Sequence, residues 1–166
     1  MKASRSQLIV DTNILIDMQR GEVIRQFFAL PYDFISSDVI VAELEDPDGS
    51  ELERMGLLSA ELTGEQVQEV ELIWTHNQNI AANDIFALVL ASHMGLNLLT
   101  GDSRLRRLAA KHNVPIHGTL WVLDEMVQMK MLTTKQAAKA LHLMLGRGSR
   151  LPADECDRRL ELWESK

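Results

Sequence analysis

Short apolar runs alternate with stretches of helical periodicity along the first two thirds of the chain. The first run, residues 7–10, stops at Asp11, and apolar residues at helical spacing follow it. Strands that alternate with helices are typical of a parallel sheet covered on both faces. The pattern therefore predicts an α/β fold, a three-layer α/β/α sandwich around a central, mostly parallel sheet. The predicted strands are residues 7–10, 34–35, 57–62, 97–100 and 114–116.

Helices are predicted between these strands and, without further strands, after Gly118. The segment Ile85–Met94 is the most apolar helix, and Gly95 follows it at a position where glycine commonly ends a helix. We interpret residues 1–166 as a single domain with a core at about 7–117 and a helical C-terminal extension at about 118–166. Within the extension, residues 146–150 have the most flexible composition. The other predicted helices cover about residues 14–18, 22–30, 39–44, 64–74, 103–111, 119–131, 134–145 and 153–163.

Composition limits the class of protein. A chain of 166 residues with 46% hydrophobic content suits one globular domain. The single cysteine, Cys156, excludes an intramolecular disulfide and favours a reducing compartment. The apolar run near the N-terminus is too short for a signal peptide, and no stretch is long enough to cross a bilayer. We therefore expect a cytoplasmic protein with no membrane partner.

The net charge of −7 argues against a protein that binds nucleic acid mainly through a broad basic surface. It does not exclude a nuclease, because cations bound to an acidic site reverse the local field. Charge alone therefore leaves the function open.

Two carboxylates stand directly after predicted strands. Asp11 follows residues 7–10, and Asp102 comes just after residues 97–100. Ligands of an open parallel sheet gather beyond the carboxyl ends of its strands, so these two side chains share a crevice if their strands are neighbours. Asp84 begins the most apolar helix, and Glu43 is a charge on an otherwise apolar helix.

Each of these four residues has a simpler explanation when it is considered alone. Asp84 and Asp102 would also suit helix N-caps, and Glu43 would suit a solvated helix face. If the four carboxylates lie close together, they repel one another, because two like charges about 4 Å apart repel by about 4 kcal/mol at an effective dielectric near 20. Such a cluster needs raised pKa values or a compensating ion. Oxygen ligands suit Mg²⁺ or Mn²⁺, and two such ions can activate water to cleave a phosphodiester.

Four segments of the chain resemble PIN-domain nucleases, and their acidic residues follow that family's order of Asp, Glu, Asp and Asp. The resemblance covers roughly residues 7–117. Within the family, the chain is similar in particular to the VapC-type toxins of bacterial and archaeal toxin–antitoxin pairs. The helices after Gly118 resemble those of a longer-tailed prokaryotic PIN subgroup. The four segments are Leu8-Ile9-Val10-Asp11-Thr12-Asn13, the helix with Glu43, Asn83-Asp84, and Leu98-Leu99-Thr100-Gly101-Asp102.

The resemblance implies a divalent-metal-dependent endoribonuclease, frequent homodimers and often an antitoxin partner. It also implies that one or two Mg²⁺ or Mn²⁺ ions are bound, directly or through water, by the catalytic residues Asp11, Glu43, Asp84 and Asp102. Asn13 and Thr100 match polar positions that support the acidic site in this family. The alternative is a catalytically silent PIN-like module that binds protein or RNA, although such a module has no need to hold four repelling charges together.

Two further patterns bear on function. A basic run beside Asp102 suits either contacts with RNA phosphates or a solvated helix face. A haloacid-dehalogenase-like phosphatase would also begin with a strand and an aspartate, but it would normally need a second aspartate where this chain has Asn13. Glycine-rich phosphate loops are absent from the sequence. The basic run consists of Arg104, Arg106, Arg107 and Lys111.

Overall fold

The computed structural model describes residues 4–165. In this part of the chain five short strands form one sheet: β1 (Ser6–Val10), β2 (Tyr32–Ser37), β3 (Leu58–Ala60), β4 (Asn97–Leu99) and β5 (Ile116–His117). They lie in the order β3-β2-β1-β4-β5, and every pair of neighbours is parallel. The predicted α/β/α fold is confirmed, and β1 and β4 are neighbours at the middle of the sheet.

Helices cover the sheet on both faces. Their starts carry local signals, since the helices Gly64–His76 and Thr134–Gly146 both begin with a capping box of threonine and glutamine. None of the helices in residues 4–165 has the length and apolar character needed to cross a membrane. The helices are α1 (Thr12–Arg20), α2 (Ile24–Ala29), α3 (Asp38–Glu43), α4 (Gly49–Met55), α5 (Gly64–His76), α6 (Ala82–Met94), α7 (Ser103–Lys111), α8 (Thr119–Gln128), α9 (Thr134–Gly146) and α10 (Ala153–Glu164).

The pleat of β1 divides the core into two hydrophobic clusters. Ile9 belongs to the cluster under α6 and α7, whereas the next residue, Val10, belongs to the larger cluster on the opposite face. That larger cluster also contains Leu123 of α8 and Leu141 of α9. The C-terminal extension therefore forms part of the layer that covers one face of the sheet.

Two segments differ most from the sequence prediction, while other elements such as β5 are shifted by one or two residues. Helix α4 was not predicted, because the turn formers at residues 46–49 concealed it. Asp48 caps this helix by accepting a hydrogen bond from the Glu51 amide at 3.1 Å, and Leu52 anchors it in the core. The strand predicted at residues 57–62 is only three residues long, because it pairs with β2 alone at the edge of the sheet.

Candidate active site

Asp11 lies at the point where β1 ends and α1 begins. Its side chain is 1% exposed, and its backbone N–H donates to the carbonyl of Leu99 in β4 at 2.9 Å. Although it occupies the N-cap position of α1, it makes no side-chain capping bond. Its carboxylate accepts hydrogen bonds from Thr100 Oγ1 at 2.8 Å and from Thr12 Oγ1 at 3.1 Å. The parallel register of β1 and β4 places Asp11 beside Thr100, so the hydroxyl holds the carboxylate at the strand ends.

Asp84 of α6 lies next to Asp11. It is the third residue of α6, whose N-cap is Ala81, so the explanation of Asp84 as an N-cap is wrong. Its side chain is only 8% exposed, and its carboxyl group is hydrogen-bonded to that of Asp11. The pKa of Asp84 is raised to about 8, chiefly by burial. The charge of Asp11, the hydrogen bond to Asp11 and the charge of Asp102 raise it further. Burial also raises the pKa of Asp11, against the opposing effect of the hydrogen bonds from Thr100 and Thr12.

Asp102 has two functions in the structure. It is the N-cap of α7, where its carboxylate accepts hydrogen bonds from the amides of Arg104 at 2.7 Å and Leu105 at 3.1 Å. It also lies near enough to Asp84 for its charge to raise the pKa of that residue. The Asp102 amide donates to Thr100 Oγ1 at 3.2 Å. The Thr100 hydroxyl therefore connects the ends of β1 and β4.

Glu43 lies at the edge of this group. It is the last residue of α3 and is exposed, and its Oε2 accepts a hydrogen bond from Asn83 Nδ2 at 3.3 Å. Asn83 immediately precedes Asp84, and the sequence interpretation assigned it no supporting role. Asn13, which was predicted to support the site, is exposed, with Nδ2 at 3.5 Å from Asp11 Oδ2. The structure thus draws together Asp11, Asp84 and Asp102, and it connects Glu43 to them through an amide.

A comparison with protein families agrees with this arrangement. A family model described as a PIN domain matches residues 7–165. The chain belongs to the PIN-domain family. The match extends past residue 117 and includes the C-terminal helices of this PIN domain. No curated protein matches the chain in sequence.

PIN domains have a nuclease-type fold and generally use divalent metal ions. Across residues 4–165, no three histidine, cysteine or acidic side chains are arranged as a ready metal-binding group. The Asp11–Asp84 pair nevertheless suits Mg²⁺, which often takes one or two carboxylates and fills its other positions with water and substrate oxygens. The two carboxyl groups offer oxygen ligands, and a bound cation would compensate the negative charge that they carry when ionised. The donor set therefore fits such a metal.

A cleft of about 680 Å³ opens beside Asp102 in this PIN domain. Of the four predicted RNA-binding residues on α7, only Arg104 lines it. The other three side chains are exposed elsewhere on the helix, and their role in RNA binding stays a prediction. Arg20 of α1 and Arg150, between α9 and α10, also line the cleft. Neither was identified from the sequence, because nothing in the local pattern places them near the acidic group.

Proposed function

We propose that this PIN domain is a divalent-metal-dependent endoribonuclease that hydrolyses RNA phosphodiester bonds. The main supporting observation is the contact between the buried carboxyl groups of Asp11 and Asp84 at the carboxyl end of β1. Two buried acids in contact are costly unless a proton or a cation lies between them. A crevice at the end of parallel strands is also where substrates of such sheets bind.

In this proposal Asp11 and Asp84 bind one or two Mg²⁺ or Mn²⁺ ions, and Asp102 and Glu43 take part directly or through water. When bound, the metal would lower the pKa of a water molecule and stabilise the leaving oxygen of the phosphodiester. Thr100 donates to Asp11 and keeps its carboxylate oriented. One carboxylate of the group accepts the proton of the attacking water.

The test is cleavage of a single-stranded RNA pool with Mn²⁺ or Mg²⁺ and with excess chelator. We expect cleavage only with metal, and we expect metal to raise the melting temperature. The variant Asp11→Asn plus Asp102→Asn should lose both responses. Asp33→Asn plus Asp154→Asn is the matched control, because it removes the same charge from two residues that make no side-chain hydrogen bond or ion pair with residues 4–165. Chelator-insensitive cleavage, or full activity of the first variant, would contradict the proposal.

A catalytically silent module is the competing function. It would bind RNA or a protein partner without cleaving any member of a broad RNA panel in the presence of metal. The buried acidic pair favours the enzyme, since binding alone does not require the cost of holding Asp11 and Asp84 together.

The resemblance to VapC-type toxins extends the proposal to a biological role. We propose that the chain is the cytoplasmic toxin of a type II toxin–antitoxin pair and forms a homodimer. Its expression should then arrest growth, and an adjacent small gene should relieve the arrest. Light scattering should give the mass of a dimer. Normal growth on expression of a nuclease-active chain would refute the toxin role and leave the nuclease proposal intact.

A further inference from the structure

The cleft beside Asp102 combines arginines from distant parts of the chain. Arg20 comes from the end of α1, Arg104 from the start of α7 and Arg150 from the loop between α9 and α10. We call it the arginine cleft, defined by these three residues together with Asn13 and Asp102. We propose that the arginine cleft binds the phosphate backbone of single-stranded RNA next to the scissile bond, with Arg20 and Arg150 contacting phosphates. This inference rests on the proposed ribonuclease function.

The three arginines are not held in ion pairs within the described range 4–165, and Arg20 Nη1 donates there only to the neutral hydroxyl of Ser149 at 3.4 Å. In contrast, Arg147 and Arg159 pair with acidic side chains. Arg104 Nη1 donates to the carbonyl of Asn79 at 2.9 Å, a contact that leaves its positive charge in place. The cleft is therefore a local positive site on a chain of net charge −7.

The carboxylates that line the cleft are already engaged. Asp17 is buried and accepts hydrogen bonds from Ser149 Oγ and Thr119 Oγ1, both at 2.6 Å. Asp102 accepts two amide hydrogen bonds at the start of α7. These donors are neutral and leave both carboxylates charged, so the cleft lining carries three arginines against two aspartates and remains positive on balance. Guanidinium groups bind phosphate oxygens in a two-pronged geometry.

The loop that carries Arg150 is tied to α1. Ser149 bonds to Asp17, and Arg147 Nη1 donates to the backbone carbonyl of Arg20 at 2.8 Å. Arg147 also pairs with Glu22 at 2.9 Å. These contacts hold Arg150 near Arg20 before any ligand binds, although the composition of residues 146–150 suggested flexibility. Preorganisation of this kind lowers the entropic cost of binding.

The experiment measures binding separately from cleavage. A short fluorescent single-stranded RNA is titrated with the full chain in chelator, so that no metal-dependent cleavage occurs. The test variant is Arg20→Ala plus Arg150→Ala, and the control is Arg25→Ala plus Arg158→Ala. The control removes the same charge from two exposed arginines outside the cleft that form no ion pair with residues 4–165.

We expect the Kd of the test variant to rise about tenfold at about 0.1 M salt, while that of the control changes less than about twofold. The slope of log K against log salt should fall by about 1.4, or about 0.7 for each lost phosphate contact on a single strand. Arg20→Lys plus Arg150→Lys retains both charges and should keep the wild-type salt slope, but it should bind more weakly than the wild type because lysine cannot donate two parallel N–H groups to a phosphate. Circular dichroism and melting temperature show whether each variant is folded.

A Kd for the folded alanine variant within about twofold of the control, with an unchanged salt slope, would overturn the inference. Cleavage by the wild-type chain is measured in parallel with Mg²⁺. If the chain cleaves RNA but the alanine variant binds normally, the proposal that the arginine cleft binds RNA is refuted and the nuclease function stands. If the chain never cleaves but the variant loses affinity, the cleft is supported as an RNA site and the nuclease function fails.

Discussion

Replacing Asp84 by asparagine should stabilise the metal-free protein at neutral and alkaline pH. The pKa of Asp84 is raised from 3.8 to about 8, chiefly by burial and then by Asp11. Between these two values the folded state binds more protons than the unfolded state, so stability falls as pH rises. This contribution is fully present below pH 3.8 and is lost as pH rises through about 8. Asp84→Asn removes the carboxyl group that must give up its proton, and its amide can still donate to Asp11.

The size of the effect follows from the raised pKa. A solution at pH 7 lies about three pH units above the ordinary pKa of an aspartate, and at about 1.36 kcal/mol per pH unit this difference gives roughly 4 kcal/mol. Water at the mouth of the crevice screens the carboxyl groups, so we expect about half of this. Asp84→Asn should therefore raise the free energy of unfolding in chelator at pH 7 by about 2 kcal/mol.

Urea denaturation in chelator between about pH 5 and pH 9 measures this effect directly. The wild-type chain should lose stability over this range, and Asp84→Asn should lose less. Added Mg²⁺ should stabilise the wild-type chain more at pH 8 than at pH 6, because the ion must displace a proton, and it should have little effect on the variant. The reasoning would be refuted if Asp84→Asn were less stable than the wild type at pH 8 in chelator. Equal pH slopes for the two chains would refute it as well. Asp33→Asn is the control and should follow the wild type.

Three further substitutions test the surrounding structure. Thr100→Val removes the hydroxyl that donates to Asp11, so we expect the affinity for Mg²⁺, measured by calorimetric titration, to fall about 10- to 100-fold. Thr100→Ser should retain the affinity, and an unchanged affinity in Thr100→Val would contradict the orienting role. Asp17→Asn weakens the charged acceptor of two buried hydroxyls and should lower the free energy of unfolding by about 1–3 kcal/mol, whereas a neutral result would show that these bonds do not tie the extension to α1. Gly49→Ala should cost about 1–3 kcal/mol by urea denaturation, because its Cβ would overlap the carbonyl oxygen of Val41; a wild-type midpoint would show that the two backbones separate readily.

Local signals in the sequence were sufficient for most elements. Strand runs, caps and breakers act over a few residues, so they predicted the parallel fold and placed Asp11 and Asp102 at strand ends. These local signals failed at α4, because Gly49 and its neighbours are residues typical of a turn. The burial of Leu52 in the larger core decides in favour of a helix there, and a contact of that kind lies beyond a local pattern.

The acidic residues themselves were identifiable from sequence, but their relationships were not. The sequence treated Asp84 as a possible N-cap, whereas packing of α6 against the sheet turns it toward Asp11. Glu43 was included in the set mainly because it is a charge on an otherwise apolar helix, and in the structure it lies exposed and connects to the others through Asn83. Which acids share a proton depends on how helices dock on the sheet, and sequence spacing does not specify that docking.

By itself, the sequence determined the succession of strands and helices apart from α4, and it placed Asp11 and Asp102 at strand ends, because these features depend on short-range backbone preferences. Only the tertiary structure decided that β1 lies between β2 and β4, which brings Thr100 to Asp11. The arginine cleft is also a tertiary product, since it depends on the bond between Asp17 and Ser149, which are 132 residues apart. Contacts over such separations arise from strand order and from the packing of two hydrophobic clusters, and neither is encoded in a local pattern.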